Sequence, residues 1–73
     1  MKLRVWYVKN PPRDATNFSV LSIEAAKIKI HELTERDLED EDIGSNAMGL
    51  EVFEDGEWTE YYNDQGQDIM ELM

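Results

Sequence analysis

The chain of 73 residues contains no cysteine, only two prolines and four glycines, and no long apolar run. Without cysteine it can form neither disulfides nor thiolate metal sites, and it has no cysteine nucleophile. Small secreted domains usually depend on disulfides, so we expect a cytoplasmic protein. No segment approaches the roughly 18 apolar residues of a membrane-spanning helix, so we expect no membrane partner. A chain this short predicts a single small domain, residues 1–73, without a deep substrate cleft.

Basic residues are missing from the second half of the chain. Residues 1–36 contain all seven lysines and arginines with four acids, whereas residues 37–73 contain thirteen acids and no lysine or arginine. The formal net charge of −10 disfavours direct binding to nucleic acid or to anionic lipid. The two halves could neutralise each other, with the surplus acid serving solubility. Alternatively, the acidic half forms a surface for a cationic partner.

The apolar pattern predicts the element order β-β-α-β-β. Residues 3–8 are rich in strand formers and apolar on both faces, which indicates a central strand or one covered on both sides. Residues 18–21 predict a second, short strand. A helix should run from about residue 23 to 38, with Ser22 as its N-cap.

The predicted helix has one apolar stripe, which an acid interrupts near its end. We expect Leu38 to replace Asp37 on the buried face, and Ile28 either to widen the stripe or to lie at a subunit contact. Four acids at 39–42 oppose the helix dipole, so this segment should be frayed or already a loop. The spacing of three and four residues is typical of one helix face and places these residues on it: Ile23, Ala26, Ile30, Leu33 and Asp37.

The clearest local signal is an Asp55-Gly56 turn between two strand-like runs, which predicts a hairpin. It places Phe53 opposite Trp58 and Glu51 opposite Glu60.

A short helix or strand should follow over residues 68–73. The fold class is therefore α+β: a small antiparallel sheet of three to four strands with one main helix packed on a face. One helix cannot cover two apolar sheet faces, so we expect a homodimer or larger oligomer.

Few residues could support catalysis, a metal or a cofactor. His31 is the only histidine and lacks a partner at useful spacing, so it should be a surface residue. The segment 63–68 is oxygen-rich but fails the EF-hand spacing and predicts an ordinary turn. Glu51 and Glu60 could act as an acid/base pair or hold a cation, but two splayed, solvated glutamates are the simpler interpretation. The four glycines are isolated, which excludes a phosphate loop. Because the chain also lacks cysteine, has a single unpartnered histidine and is too small for a cleft, we expect no cofactor and no enzyme.

Two segments carry a family resemblance. Residues 46–62, Asn-Ala-Met-Gly-Leu-Glu-Val-Phe-Glu-Asp-Gly-Glu-Trp-Thr-Glu-Tyr-Tyr, are followed by Asp64, Gly66, Asp68 and Ile69. Together with residues 8–13, Val-Lys-Asn-Pro-Pro-Arg, they resemble small acidic proteins encoded by tailed bacteriophages. The resemblance implies a bacterial host cytoplasm and an effector that acts on a host protein. It implies no functional residue.

Two hypotheses of function from different classes remain. The first is a non-enzymatic interaction protein that imitates phosphates and binds a basic, nucleic-acid-binding surface of a host protein. The second is a module that sequesters a nucleotide signal at a dimer interface through its basic N-terminal half. The first would use these acids: Glu39, Asp40, Glu41, Asp42, Glu51, Glu54, Asp55, Glu57 and Glu60. The second would use these residues: Arg4, Trp6, Lys9 and Arg13.

Overall fold

The order of the elements is the predicted β-β-α-β-β, and the fold is α+β. The computed structural model describes residues 2–42 and 44–73. Its four strands form one antiparallel sheet in the order β2-β1-β3-β4. The elements are β1 (Leu3–Lys9), β2 (Thr16–Val20), α1 (Ile23–Glu39), β3 (Asn46–Glu54) and β4 (Glu57–Glu60).

β1 is a central strand, as predicted, but a helix covers only one side of it. Leu3, Val5 and Tyr7 alternate along β1 and are buried beneath α1. The residues between them point to the other side of the sheet, which we call the open face. Strand register assigns these side chains to the open face: Arg4, Trp6, Val8, Ala47, Glu51, Phe53, Trp58 and Glu60.

The core lies between α1 and the side of the sheet on which α1 packs, here called the covered face. Ser22 caps α1 as predicted, because its hydroxyl oxygen accepts a hydrogen bond from the Ala25 N–H at 3.0 Å. Ile30 from α1 and Leu50 from β3 are fully buried there. Ile69 is also fully buried. It lies in the segment for which the sequence predicted a helix or strand. That prediction was wrong: residues 69–72 form turns, because so short a segment cannot support a helix by itself.

The end of α1 also differs from the prediction. Asp37 is only 7% exposed and remains on the buried side of α1, whereas Leu38 is 83% exposed. The reason is two hydrogen bonds to Asp37 Oδ2, from the Tyr7 hydroxyl at 2.6 Å and from Asn46 Nδ2 at 2.7 Å. Ile28 does not widen the apolar stripe either, since it is 62% exposed.

The β3–β4 hairpin has the predicted register. Phe53 pairs with Trp58 and Glu51 with Glu60, and the two aromatic rings meet edge to face at 5.3 Å. Asp55 and Gly56 form the turn with φ of 52° and 82°, the left-handed conformation that a two-residue hairpin turn requires. β3 begins earlier than the predicted hairpin, at Asn46, because its first residues pair with β1.

Candidate functional site

The open face is built around Trp6 and Gly49. A Cβ atom on Gly49 would lie 2.6 Å from the indole Nε1 of Trp6, so only glycine allows this close approach. Trp6 thereby crosses β3 and donates from Nε1 to Glu60 Oε2 on β4 at 3.1 Å. One side chain thus spans three neighbouring strands.

Cations complete the cover of the open face. Arg4 Nε donates to Glu51 Oε1 at 2.8 Å, and the Arg4 guanidinium carbon lies 4.2 Å from the centre of a Trp58 ring. The Lys2 ammonium lies 5.3 Å from the Phe53 ring centre. These are distances for cation–π attraction. The long side chains of the open face therefore shield it from water, whereas α1 shields the covered face.

Glu51 and Glu60 lie opposite each other, as predicted, but they are not splayed and solvated. Each carboxylate has its own donor on β1, Arg4 for Glu51 and Trp6 for Glu60. Burial raises the pKa of Glu60 above its ordinary value, and the negative charge of Glu51 adds to the rise, against the opposing Trp6 hydrogen bond. This geometry is that of a structural carboxylate pair with a partly desolvated member, on a sheet surface and not in a cleft.

The four residues of the alternative ligand site do not share one surface. Arg4 and Trp6 lie side by side on the open face. Lys9 has the opposite strand parity and is exposed at the end of β1. Arg13 is exposed in the loop before β2.

The first group of predicted acids lies at the end of α1. Glu39, Asp40, Glu41 and Asp42, here called the helix-end acids, comprise the last residue of α1 and the turn that leaves it. Asn10 holds this turn against the end of β1: its Nδ2 donates to the Asp42 carbonyl at 3.0 Å, and its Oδ1 accepts from the Gly44 N–H at 2.8 Å. Asp40 Oδ1 accepts from the Asp42 N–H at 2.9 Å.

The second group lies at the opposite end of the sheet. Glu54, Asp55 and Glu57, here called the hairpin acids, are exposed around the β3–β4 turn. The nine residues of β3 separate the two groups by about 26 Å, at roughly 3.3 Å per residue. Glu51 and Glu60 lie between them on the open face. The predicted acids therefore form two groups at the ends of an elongated molecule, 38 Å in its longest dimension, and not one surface.

A groove at the β4 edge brings further acids together. It has a volume of about 500 Å³ and is lined by Glu54, Glu60 and Asp64, beside Tyr61 and Tyr62. Asp64 was not among the predicted site residues, although the sequence places it in the turn directly after β4.

Cations neutralise little of the acidic half. Of its thirteen acids, only Asp37 and Glu51 have a lysine or arginine within 4.0 Å among residues 2–42 and 44–73. Asp37 is paired with its own chain neighbour, Arg36, so Arg4–Glu51 is the one ion pair of this part of the chain that brings a distant cation to the acidic half. The remaining described pairs lie within α1: Glu24–Lys27, Lys29–Glu32 and His31–Glu35.

Two other features of the sequence are structural, as predicted: a surface histidine and an ordinary turn. His31 is exposed, and its Nε2 lies 3.1 Å from Glu35 Oε1. Asn63 Oδ1 accepts from the Gln65 and Gln67 N–H groups at 2.9 Å, so this oxygen closes a turn. Within residues 2–42 and 44–73, no group of three or more histidines and acids has the geometry to hold a metal ion.

Three residues that position these sites were not predicted: Asn10, Asp37 and Gly49. Only Gly49 had a signal in the sequence, since an isolated glycine in a strand pattern often marks close approach of another group. Asn10 bonds to Asp42, 32 residues away, and Asp37 bonds to Tyr7 and Asn46, 30 and 9 residues away. No local pattern indicates these partners.

The fold and its sites define the class of the protein: a small α+β protein with a half-covered antiparallel sheet and two acidic ends. Comparison of the chain with protein families, curated proteins and solved structures gives no match. In the part of the chain that the structure describes, no helix is long and apolar enough to cross a membrane.

Proposed function

We propose that this chain is a non-enzymatic interaction protein whose acidic half binds a basic surface of a host protein. The single observation that carries the proposal is that eleven of the thirteen acids in residues 37–73 have no lysine or arginine within 4.0 Å in the described residues. A fold that used its cations to neutralise the acidic half would place them there. Here most of them are paired within α1 or lie over aromatic rings.

The helix-end acids are the strongest part of the proposed surface. They lie at the C-terminal end of a helix of 17 residues, where the helix dipole is already negative. Acids at this end oppose helix stability by about 0.3–1 kcal/mol each. Asp40 has a compensating role in the fold, because its Oδ1 accepts from the Asp42 N–H, whereas the helix dipole disfavours its acidic neighbours without such a return. A negative helix end with four exposed or half-exposed carboxylates attracts a cationic groove and accelerates association.

Carboxylates in such a turn present paired oxygens to guanidinium and ammonium groups, as phosphates do. The partner surface proposed here is therefore one that otherwise binds nucleic acid. The hairpin acids, about 26 Å away by strand length, would engage a second part of an extended basic groove. The nucleotide-sequestering alternative has less support, because Lys9 and Arg13 lie apart from Arg4 and Trp6.

The test replaces the helix-end acids by their amides, as Glu39→Gln, Asp40→Asn, Glu41→Gln and Asp42→Asn. The Asp40→Asn side chain keeps an oxygen for the backbone N–H of position 42, so the turn is retained. Wild type and variant are immobilised, exposed to bacterial lysate at several salt concentrations, and the captured proteins are identified by mass spectrometry. The matched control carries Lys9→Gln and Arg13→Gln, two exposed positions outside both acidic groups.

We expect a captured basic protein to be released by salt and by added DNA, and to bind the amide variant at least about tenfold more weakly, which corresponds to about 1.4 kcal/mol. Calorimetry with the purified partner should show a flatter salt dependence for the variant. The control should bind as well as wild type or better. Binding that is unchanged in the amide variant and lost in the control would overturn the proposal, because the partner would then be bound through the basic residues and not through the acidic half.

A further inference from the structure

The two edges of the sheet differ in charge and polarity. β4 carries Glu57 and Glu60 among its four residues, so two copies of this edge repel each other. β2 at the other edge is Thr-Asn-Phe-Ser-Val and carries no charge. In a chain with a net charge of −10, the segment 15–23 around β2 is the uncharged edge that a second copy can approach.

Exposed apolar side chains flank this neutral edge. Leu21 is 97% exposed and Ile28 is 62% exposed. Both line a shallow groove of about 290 Å³ together with Val20 and Ala25. Exposed apolar groups at a sheet edge favour pairing with another strand, and these are side by side where α1 passes over β2.

The main chain of β2 has donors and acceptors directed outward. The Asn10 N–H donates to the Ser45 carbonyl and the Phe53 N–H to the Lys2 carbonyl, so the even-numbered residues of β1 bond to β3. Its odd-numbered residues therefore bond to Thr16, Phe18 and Val20. This alternation leaves the N–H and C=O groups of Asn17 and Ser19 pointing away from the sheet.

We propose that this protein forms a two-fold dimer in which β2 pairs antiparallel with β2 of a second copy, giving a continuous eight-stranded sheet. A pairing centred on Phe18 places Asn17 opposite the partner's Ser19, so the outward groups meet in register. Both α1 helices then lie on the same face of the joined sheet. The inference is independent of the proposed function, because it uses neither acidic group.

Charge at the rim of the groove fits a second copy. Lys29 and Glu32 line it, one of each sign and 4.0 Å apart. A two-fold axis brings the pair of one copy beside the pair of the other, so each cation can meet an acid across the contact. Since the β4 edge is acidic, the assembly closes at two copies and does not extend into a fibre.

The test measures mass by light scattering and sedimentation at micromolar concentration. Leu21→Lys adds a charge to the neutral edge. This variant should still fold, because Leu21 makes little contact with the rest of the protein. Ser19→Pro removes an outward N–H. Leu38→Lys is the matched control: the same change at an exposed leucine near the other end of α1.

We expect wild type and Leu38→Lys to be dimers, and both edge variants to be monomers with native circular dichroism. A monomeric wild type would overturn the proposal. So would a dimer that survives both edge variants, because its contact would then lie elsewhere, such as on the open face. A dimer lost equally in Leu21→Lys and Leu38→Lys would show that added charge alone prevents association, and the β2 contact would be rejected.

Discussion

The two faces of the sheet are shielded from water in different ways. On the covered face, apolar side chains of β1 and β3 are buried by α1. On the open face, Arg4, Trp6 and Glu60 lie across their neighbours and shield the sheet themselves. Long amphipathic side chains can bury their apolar parts and keep their charge near water. One helix is therefore enough for this sheet, and the open face by itself is no reason for a second subunit.

Each face also holds a carboxylate with a perturbed pKa, and the two shifts have opposite sign. Asp37 on the covered side loses solvation, but hydrogen bonds from Tyr7 and Asn46 and the positive charge of Arg36 outweigh that penalty and lower its pKa. Burial raises the pKa of Glu60 on the open face, and repulsion from Glu51 adds to the rise, against the hydrogen bond from Trp6. Neighbouring donors and charges, and not burial alone, decide the sign of each shift.

The largest effect should come from Leu50→Ala, which opens a cavity in the covered face. Leu50 is fully buried, and such truncations destabilise by about 2–5 kcal/mol. Urea unfolding followed by circular dichroism measures the loss. Phe53→Ala on the open face, where the ring is 40% exposed, is the comparison and should lose only about 1 kcal/mol. Equal losses would show that the open face is a second core.

Asp37→Asn should come next, with a loss of about 1.5–3 kcal/mol from two charge-assisted hydrogen bonds. Because the pKa of Asp37 lies below its ordinary value of 3.8, ionised Asp37 stabilises the fold above that pH. This stabilisation disappears as the pH falls below 3.8 through the lowered pKa. The free energy of unfolding of the variant should therefore depend less on acid pH than that of wild type. Parallel pH profiles for the two proteins would contradict this role of Asp37.

A smaller effect, about 1–2 kcal/mol, should follow from Gly49→Ala, because the added methyl overlaps the Trp6 indole. The half-exposed indole can move toward solvent, which limits the loss. Tryptophan fluorescence should shift to the red as Trp6 leaves Glu60. In a Trp6→Ala background the same glycine substitution should change stability little. An undiminished loss in that background would mean that the constraint lies in the backbone and not in Trp6.

The smallest effect should be that of Glu60→Gln, which keeps an oxygen for the Trp6 N–H and removes a partly buried charge. The pKa of Glu60 is raised above 4.5, so its ionised form destabilises the folded state. Wild type should therefore gain stability as the pH falls through that raised pKa, and the variant should not. At neutral pH we expect the variant to be more stable by less than about 1 kcal/mol. A less stable variant at neutral pH would show that the charge strengthens the Trp6 hydrogen bond by more than its burial penalty.

Much of the fold could be predicted because its signals are local. The Ser22 cap, the spacing of Ala26, Ile30 and Leu33, and the Asp55-Gly56 turn each depend on residues within a few positions of one another. The hairpin turn also determined the opposition of Glu51 and Glu60. The excess of acid in residues 37–73 is a property of the composition. The division of the candidate acids into two ends was not predicted, because it depends on the direction in which α1 and β3 run.

The sequence by itself determined the element order, the helix start, the hairpin register and the excess of acid in residues 37–73. Only the tertiary structure decided that β3 pairs with β1, and this pairing brings Trp6 onto Gly49 and Arg4 to Glu51. It also decided that Asp37 is buried and Leu38 exposed, since Tyr7 and Asn46 lie 30 and 9 residues away from Asp37 in the chain. Local patterns specify elements through neighbouring residues, whereas a buried polar group is satisfied by whichever donors the packed chain brings to it.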